Sequence, residues 1–102
     1  MRYQMKLCIL VAISSRAIIT TLRRLYDDHN NEIRLFLYND GVLLLRDPAF
    51  MELAKRMQVT LCSVSAEERH MQKNDSVTSG SLYDFSRMVA KSDKLISFTR
   101  ES

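Results

Sequence analysis

Glycine and proline are scarce in this chain, with two glycines and one proline among 102 residues. That scarcity argues against a disordered, collagen-like or linker-rich protein. It also makes a glycine-rich phosphate loop hard to build, and neither the GxGxxG nor the GxxxxGKS/T pattern occurs. Because 46% of the residues are hydrophobic, the sequence instead predicts a single domain, residues 1–102, with a core of its own.

Cysteine and histidine are scarce as well. Cys8 and Cys62 lie far apart, without CxxC or Cys/His ligand spacing. The pattern therefore predicts no disulfide framework, no metal site and no cofactor, and it favours a reducing, cytoplasmic environment.

The charge pattern excludes two further classes of protein. The net charge is only +3, and the basic residues are spread among acids instead of forming a stripe with interleaved aromatics, so we expect no direct nucleic-acid binding. The apolar run at residues 7–13 is too short to cross a bilayer, and no signal-peptide cleavage pattern follows it. We interpret the run as a buried strand and expect no membrane association.

Hydrophobic periodicity predicts alternating strands and helices. Strands are expected at residues 7–13, 33–38, 59–62 and 94–98, and helices at 16–28, from Pro48, from Ser65 and from Ser81. Asp40-Gly41 alone would suggest a hairpin, with residues 42–45 returning as a strand, but the alternation favours a loop followed by a short helix or irregular segment. The predicted fold class is α/β, a central mainly parallel β-sheet of about four to five strands flanked by helices.

Two predicted helices carry clear end signals. Asp47 and Pro48 are typical of a helix start. Ser81 and Asp84 form a capping-box pattern at the start of the final helix, whose Leu82, Phe85 and Val89 are expected on its buried side.

Cys62 is the residue with the clearest chemical rationale. It ends a predicted strand, and Ser65 with Glu68 forms a second capping-box pattern for the helix that follows. Backbone N–H groups at such a helix start stabilise a thiolate. The alternative is a buried cysteine that acts as a small hydrophobe. A Cys–His pair with His70 or His29 is a further option, although we expect His70 to be exposed and His29 to be structural.

The predicted topology brings three segments to one edge of the sheet. Residues 14–16, 39–41 and 62–65 all follow strands, and reactive groups collect at the carboxyl ends of parallel strands. This placement favours a functional Cys62.

Several stretches resemble the DsrE/TusD-type (DsrE/DsrF-like) sulfur-relay family. Asn39-Asp40-Gly41-Val42, after a strand, is similar to the family's Asp-Gly-Val stretch, and residues 61–69 resemble its strand, cysteine and small-residue helix start. Residues 79–98 resemble its last helix and strand. Two positions depart from the pattern: His70 stands where the family usually has glycine, and residues 12–16 lack the family's glycine-containing turn.

The resemblance implies a DsrE-like fold and a cytoplasmic sulfur-trafficking protein. In this interpretation Cys62 accepts sulfane sulfur as a persulfide and passes it to a partner, in a relay of the sulfur-oxidation or tRNA-thiolation type. Candidates for supporting the thiolate or the partner are Ser63, Ser65, Arg69 and His70. The implied partners are other sulfur-carrier proteins, in a homo- or hetero-oligomer (trimer or hexamer).

Two other functions remain as alternatives. The first is a non-catalytic DsrE-like assembly subunit or small-ligand binding module in which Cys62 only packs. The second is a receiver-like or flavodoxin-like signalling domain, which finds little support because Asp40 lacks the acidic pair that would hold a divalent cation.

Overall fold

A parallel β-sheet lies at the centre of the protein. The computed structural model describes residues 5–29, 31–72 and 75–100, and these residues form five strands. The strands are β1 (Lys6–Val11), β2 (Glu32–Leu37), β3 (Gln58–Cys62), β4 (Thr78–Gly80) and β5 (Lys94–Phe98). Their order across the sheet is β4-β3-β2-β1-β5, and all four pairings are parallel. The predicted α/β class is therefore confirmed.

Helical segments connect these strands. They are α1 (Arg16–His29), a 3-10 helix (Asn39–Arg46), α2 (Pro48–Ala54), α3 (Ser63–Glu68) and α4 (Leu82–Ala90). The chain steps outward from β1 to β4 and then returns through α4 to place β5 beside β1. The direction of winding reverses between β1 and β5, which makes their carboxyl ends the topological switch point of the sheet.

The main core lies on one face of the sheet. Alternate strand residues, such as Ile9, Leu35 and Leu61, are at most 1% exposed and pack against the helices of that face. The helical partners include Leu22 of α1 and Phe50 of α2. Strand alternation places one residue in two on this face, so the near-continuous apolar runs of β1 and β2 must also supply the opposite face.

The opposite face carries only partial cover from α4. Phe36 is fully buried there, and its ring centroid lies 5.1 Å from that of Phe85 on α4. Yet no residue of α4 is itself buried, and Leu82 is 53% exposed. The prediction that Leu82 is buried is therefore wrong for the single chain, whereas Phe85 packs against the sheet as predicted. Helix α4 is amphipathic, and the other described residues do not fully cover its apolar stripe.

The local sequence signals have mixed outcomes. The Asp47 side chain accepts a hydrogen bond from the Ala49 N–H at 2.9 Å, which confirms the predicted start of α2. The capping box of Ser81 and Asp84 is confirmed as well, with Ser81 N–H donating to Asp84 Oδ2 at 2.7 Å. Residues 42–45 lie in the 3-10 helix and do not form a hairpin strand. The sequence does not predict strand β4, because Thr78–Gly80 is only three residues long and carries no apolar pattern.

Candidate functional site

Cys62 is the last residue of β3 and the residue immediately before α3. Its backbone is extended, with φ −70° and ψ 119°, and its side chain is a free thiol that is 4% exposed. In the register of the sheet it lies opposite Gly80 of the edge strand β4. Strand alternation places Cys62 on the same face as Thr60, and Cys62 lies outside the main core cluster.

Ser65 has a different place from the one predicted. Helix α3 begins at Ser63, directly after the strand, so Ser65 lies within the helix and its predicted capping box with Glu68 is wrong. The physical reason is that β3 enters α3 without an intervening turn. Ser65 is 2% exposed, and its Oγ accepts a hydrogen bond from the Asn39 N–H at 2.9 Å. Ser65 therefore holds the loop after β2 against α3.

Arg69 makes the second connection between the same two segments. Its Nε donates to Asp40 Oδ1 at 3.0 Å, and its terminal nitrogen Nη1 donates to the Ser65 carbonyl oxygen at 3.3 Å. The same Nη1 lies 3.6 Å from Glu68 Oε1. The expected meeting of residues 39–41 with residues 62–65 is thus present in the structure. The Arg69 guanidinium is half-buried and already paired with Asp40. Its main contacts are therefore with the loop after β2, and it is not free to bind an incoming anion.

His70 ends α3 in the left-handed backbone region, with φ 54°. The His70 N–H donates to the Glu67 carbonyl oxygen at 3.2 Å, and the Met71 N–H donates to the Ala66 carbonyl oxygen at 2.8 Å. These two bonds form a Schellman motif, whose left-handed position is normally glycine. The side chain of His70 is exposed, as expected, and the six residues of α3 lie between it and Cys62. The side chain of His29 lies outside the described residues.

Ser63 and residues 14–16 do not complete the predicted cluster. Ser63 is exposed at the first position of α3. Arg16 lies 3.7 Å from Asp47 at the start of α2 and extends into solvent. The contacts therefore join the loop after β2 to α3, whereas Arg16, the first residue of α1, contacts the start of α2.

A cavity that the sequence did not indicate lies at the switch point between β1 and β5. It measures about 440 Å³, and residues from the ends of β1, β2 and β5 line it. Asp40 reaches into it together with Arg69, and Arg100 lies 4.0 Å from the second oxygen of the same carboxylate. Tyr38, Asn39 and Thr99 complete its polar lining. Only the strand order reveals this cavity, because no sequence motif states which strands are neighbours.

Gly41 fixes the loop at this edge. A side chain at this position would begin far inside van der Waals contact of the Val11 carbonyl oxygen and 2.7 Å from the Val11 carbonyl carbon. That oxygen accepts the Tyr38 N–H at 2.9 Å, which joins the ends of β1 and β2. Close backbone approach, and not a turn with positive φ, explains the glycine here.

Cys8 is confirmed as part of the interior. It is fully buried in β1, and burial raises the pKa of its thiol above the ordinary value, with the nearby Arg34 guanidinium opposing the shift. A neutral, enclosed thiol of this kind is a poor nucleophile. The two cysteines thus occupy chemically different places.

Within residues 5–29, 31–72 and 75–100, no group of three or more His, Cys, Asp or Glu side chains is placed to hold a metal ion. None of the helices described there has the length and apolar character that a bilayer crossing requires.

The protein thus belongs to the class of open, parallel α/β sheets, and it carries a cysteine at the carboxyl end of an inner strand, β3. The family model described as DsrE/DsrF-like matches residues 5–98, and the chain belongs to this family. Among solved structures, the chain is similar to the YchN protein from E. coli, with a TM-score of 0.69 and 20% sequence identity over 94% of this chain and 100% of that chain. At that identity the likeness shows the fold. No curated protein sequence matches this chain.

Proposed function

We propose that this protein is a sulfur carrier that accepts sulfane sulfur as a persulfide on Cys62 and passes it to a cysteine of a partner. The supporting observation is the place of Cys62, at the end of β3 and directly before α3, in a chain of the DsrE/DsrF-like family. Cys8 offers no competing site, because it is fully buried within β1. Two free cysteines suit a reducing compartment, so we assign the relay to the cytoplasm.

The transfer step is a thiol–disulfide type of exchange. The Cys62 thiolate attacks the outer sulfur of a donor persulfide, R–S–SH, and forms a new S–S bond. The bond between the two donor sulfurs breaks, and its electron pair leaves with R–S⁻, which takes up the proton that Cys62 lost. Cys62–S–SH then passes its outer sulfur to an acceptor thiolate in the same manner, so that the carrier returns unchanged.

Access to the sulfur atom requires movement or a partner, because Cys62 is 4% exposed. The adjacent first turn of α3 is open to solvent at Ser63 and at Val64, whose apolar side chain is 62% exposed. Helix α3 has six residues, and a helix this short has little stability apart from its tertiary contacts. Displacement of its first turn, or docking of a partner against Val64, would bring a donor to the thiol.

Assembly forms part of the same proposal. Helix α4 has an apolar stripe but no buried residue, and Leu82, Tyr83 and Leu95 are 53%, 69% and 46% exposed. Large exposed apolar side chains supply the kind of surface that subunit interfaces bury. We infer a homo- or hetero-oligomer, trimer or hexamer, with other sulfur-carrier proteins as partners. Gel filtration with light scattering measures the subunit number, and a monomer at all concentrations would contradict this inference.

A second function is favoured by the burial of Cys62. In this alternative the chain is a non-catalytic DsrE-like assembly subunit or a small-ligand binding module, and Cys62 only packs against its neighbours. Its 4% exposure is typical of a cysteine that serves as a small hydrophobe.

One experiment separates the two functions. The folded protein is incubated with polysulfide or thiosulfate, and its intact mass and peptide masses are measured. The relay predicts a gain of sulfur mapped to Cys62, lost in Cys62→Ser and retained in the matched variant Cys8→Ala. If Cys62 stays unmodified and also resists a thiol-alkylating reagent in the folded state, the relay fails and the packing role stands.

A further inference from the structure

A cleft with three cationic side chains lies between α4 and the sheet. It measures about 350 Å³ and faces strands β2 to β4 on the side away from the main core. Arg34 of β2 contributes one cation, and Arg87 and Lys91 of α4 contribute the others. The cleft is separate from the cavity at the switch point and shares no lining residue with it.

Arg34 brings a buried hydrogen-bond donor to this cleft. Its Nε is buried and has no hydrogen-bond partner among the described residues. Every other buried side-chain nitrogen or oxygen atom in this part of the chain has a partner. In the described part of the chain, the ion pair of this guanidinium is a loose one, with its Nη2 3.9 Å from Glu32 Oε1. A buried donor without an acceptor is costly and rare in native proteins, and a bound ion is one of the ways in which such a donor is satisfied.

The remaining lining suits an anion. Thr60 of β3 and Thr78 of β4, which pair in the sheet and share the cleft face, add hydroxyl groups. The single carboxylate in the lining, Asp84, is engaged at the start of α4, where Oδ2 accepts from the Ser81 N–H at 2.7 Å and from Ser81 Oγ at 3.1 Å. The lining thus includes three cations, two threonine hydroxyl groups and one committed carboxylate.

We propose that this cleft binds a small tetrahedral oxyanion of the sulfate, phosphate or thiosulfate class. A rotation of the Arg34 side chain brings its Nε–H to one oxygen of the anion, and Arg87 and Lys91 close over the anion from α4. A guanidinium fork and an ammonium group are the side chains that bind such oxyanions in proteins. Hydroxyl groups from β3 and β4 serve as further donors.

The site does not depend on the reactivity of Cys62, although it lies close to it. Thr60 precedes Cys62 by two residues on the same face of β3, a separation of about 6.6 Å along a strand. A bound oxyanion therefore lies on the same face of the sheet as the thiol. Binding is expected in Cys62→Ser as well as in the native chain, so failure of the sulfur relay and failure of this site give different results.

The test follows the Arg34 Nε–H signal directly by ¹⁵N–¹H NMR. Sodium sulfate, phosphate and thiosulfate are titrated in turn, with sodium chloride at matched ionic strength as the reference. We expect a saturable shift of this signal with the oxyanions and none with chloride. Arg87→Gln and Lys91→Gln alter exposed residues, and each is expected to weaken binding at least about fivefold through the loss of a charge-assisted hydrogen bond. Lys94→Gln, an exposed cation on β5, is the matched control and should leave the affinity within about twofold.

Any of three results would overturn the proposal. One is an Arg34 Nε–H signal that does not respond to any of the three oxyanions, or that responds equally to chloride. The second is a signal that changes only when the protein is diluted, because the acceptor would then be a carboxylate of a second copy of the chain. Equal affinities for native protein, Arg87→Gln and Lys91→Gln would likewise exclude this cleft as the site.

Discussion

Replacement of Gly41 by alanine tests how the loop after β2 is held. The new methyl carbon would overlap the carbonyl group of Val11, lying 2.7 Å from its carbon atom and closer still to its oxygen. Both atoms belong to the backbone of β1, which is paired on each side, with β2 and with β5. Neither can turn aside as a flexible side chain would. The loop must therefore move away from β1.

The cost follows from what that movement breaks. Steric overlap of an added methyl group in a packed interior costs about 1–3 kcal/mol. The Val11 carbonyl also accepts the Tyr38 N–H at 2.9 Å, and Gly41 donates to the Tyr38 carbonyl at 2.9 Å. Loss of either bond inside the protein adds about 1 kcal/mol. We therefore expect Gly41→Ala to lower the free energy of unfolding by about 3 kcal/mol, which lowers the melting temperature of a domain of this size by roughly 12 °C or more.

Gly80 supplies the matched control. There, the added methyl carbon would meet Asp84 Oδ2 at 2.9 Å and Thr60 Cγ2 at 3.0 Å, both of them side-chain atoms. These side chains can shift, although Asp84 Oδ2 also accepts the capping hydrogen bonds from Ser81, so Gly80→Ala should cost about 1 kcal/mol, well below the cost of Gly41→Ala. Urea unfolding followed by circular dichroism measures both variants. Equal stabilities for the two, within about 0.5 kcal/mol, would refute the argument from close backbone approach.

Three other substitutions test the remaining contacts. Ser65→Ala removes the acceptor of the part-buried hydrogen bond from the Asn39 N–H and should destabilise the protein by about 1 kcal/mol or more, against less than about 0.5 kcal/mol for the exposed Ser63→Ala; similar urea midpoints would contradict this. His70→Gly relieves the left-handed backbone at φ 54° and should stabilise by about 0.5–1 kcal/mol, so a lower melting temperature would count against it. Because burial raises the pKa of the Cys8 thiol, its contribution to stability is intact below the ordinary thiol pKa and is lost as the pH rises through that value toward the raised folded one. Cys8→Ala should therefore flatten the fall in unfolding free energy between about pH 8 and about pH 10, and parallel curves would exclude the effect.

The fold could be predicted from the sequence because its signals are local and mutually consistent. Apolar runs alternate with helical stripes, and Asp47 with Pro48 and Ser81 with Asp84 act as helix starts within a few residues of chain. Strand β4 could not be predicted in the same way. Its three residues pair with β3 only because the sheet is already formed, and they bury no apolar side chain of their own.

The site could be predicted only in part. Family resemblance and the strand–helix junction both indicate Cys62, but the predicted partners of the thiol have other contacts. Ser65 resembles a helix cap because serine followed by glutamate three residues later is a local pattern, whereas its acceptor role toward Asn39 spans 26 residues. His70 stands where the family usually has glycine, and its backbone nevertheless adopts the left-handed conformation, with φ 54°.

The two faces of the sheet differ in how completely helices cover them. On the core face, α1, α2 and the 3-10 helix are packed against the strands, and the loop after β2 is held to α3 by Ser65 and Arg69. On the other face, α4 leaves apolar side chains and a cationic cleft lined by Thr60 under incomplete cover, and Cys62 lies two residues farther along the same strand. Any subunit that packs on α4 would therefore also limit the approach to the cleft and to the thiol. Under the proposed relay, assembly and sulfur transfer are thus expected to depend on each other, and replacement of the exposed Leu82 by a charged residue should change the rate at which Cys62 reacts with a sulfane-sulfur donor.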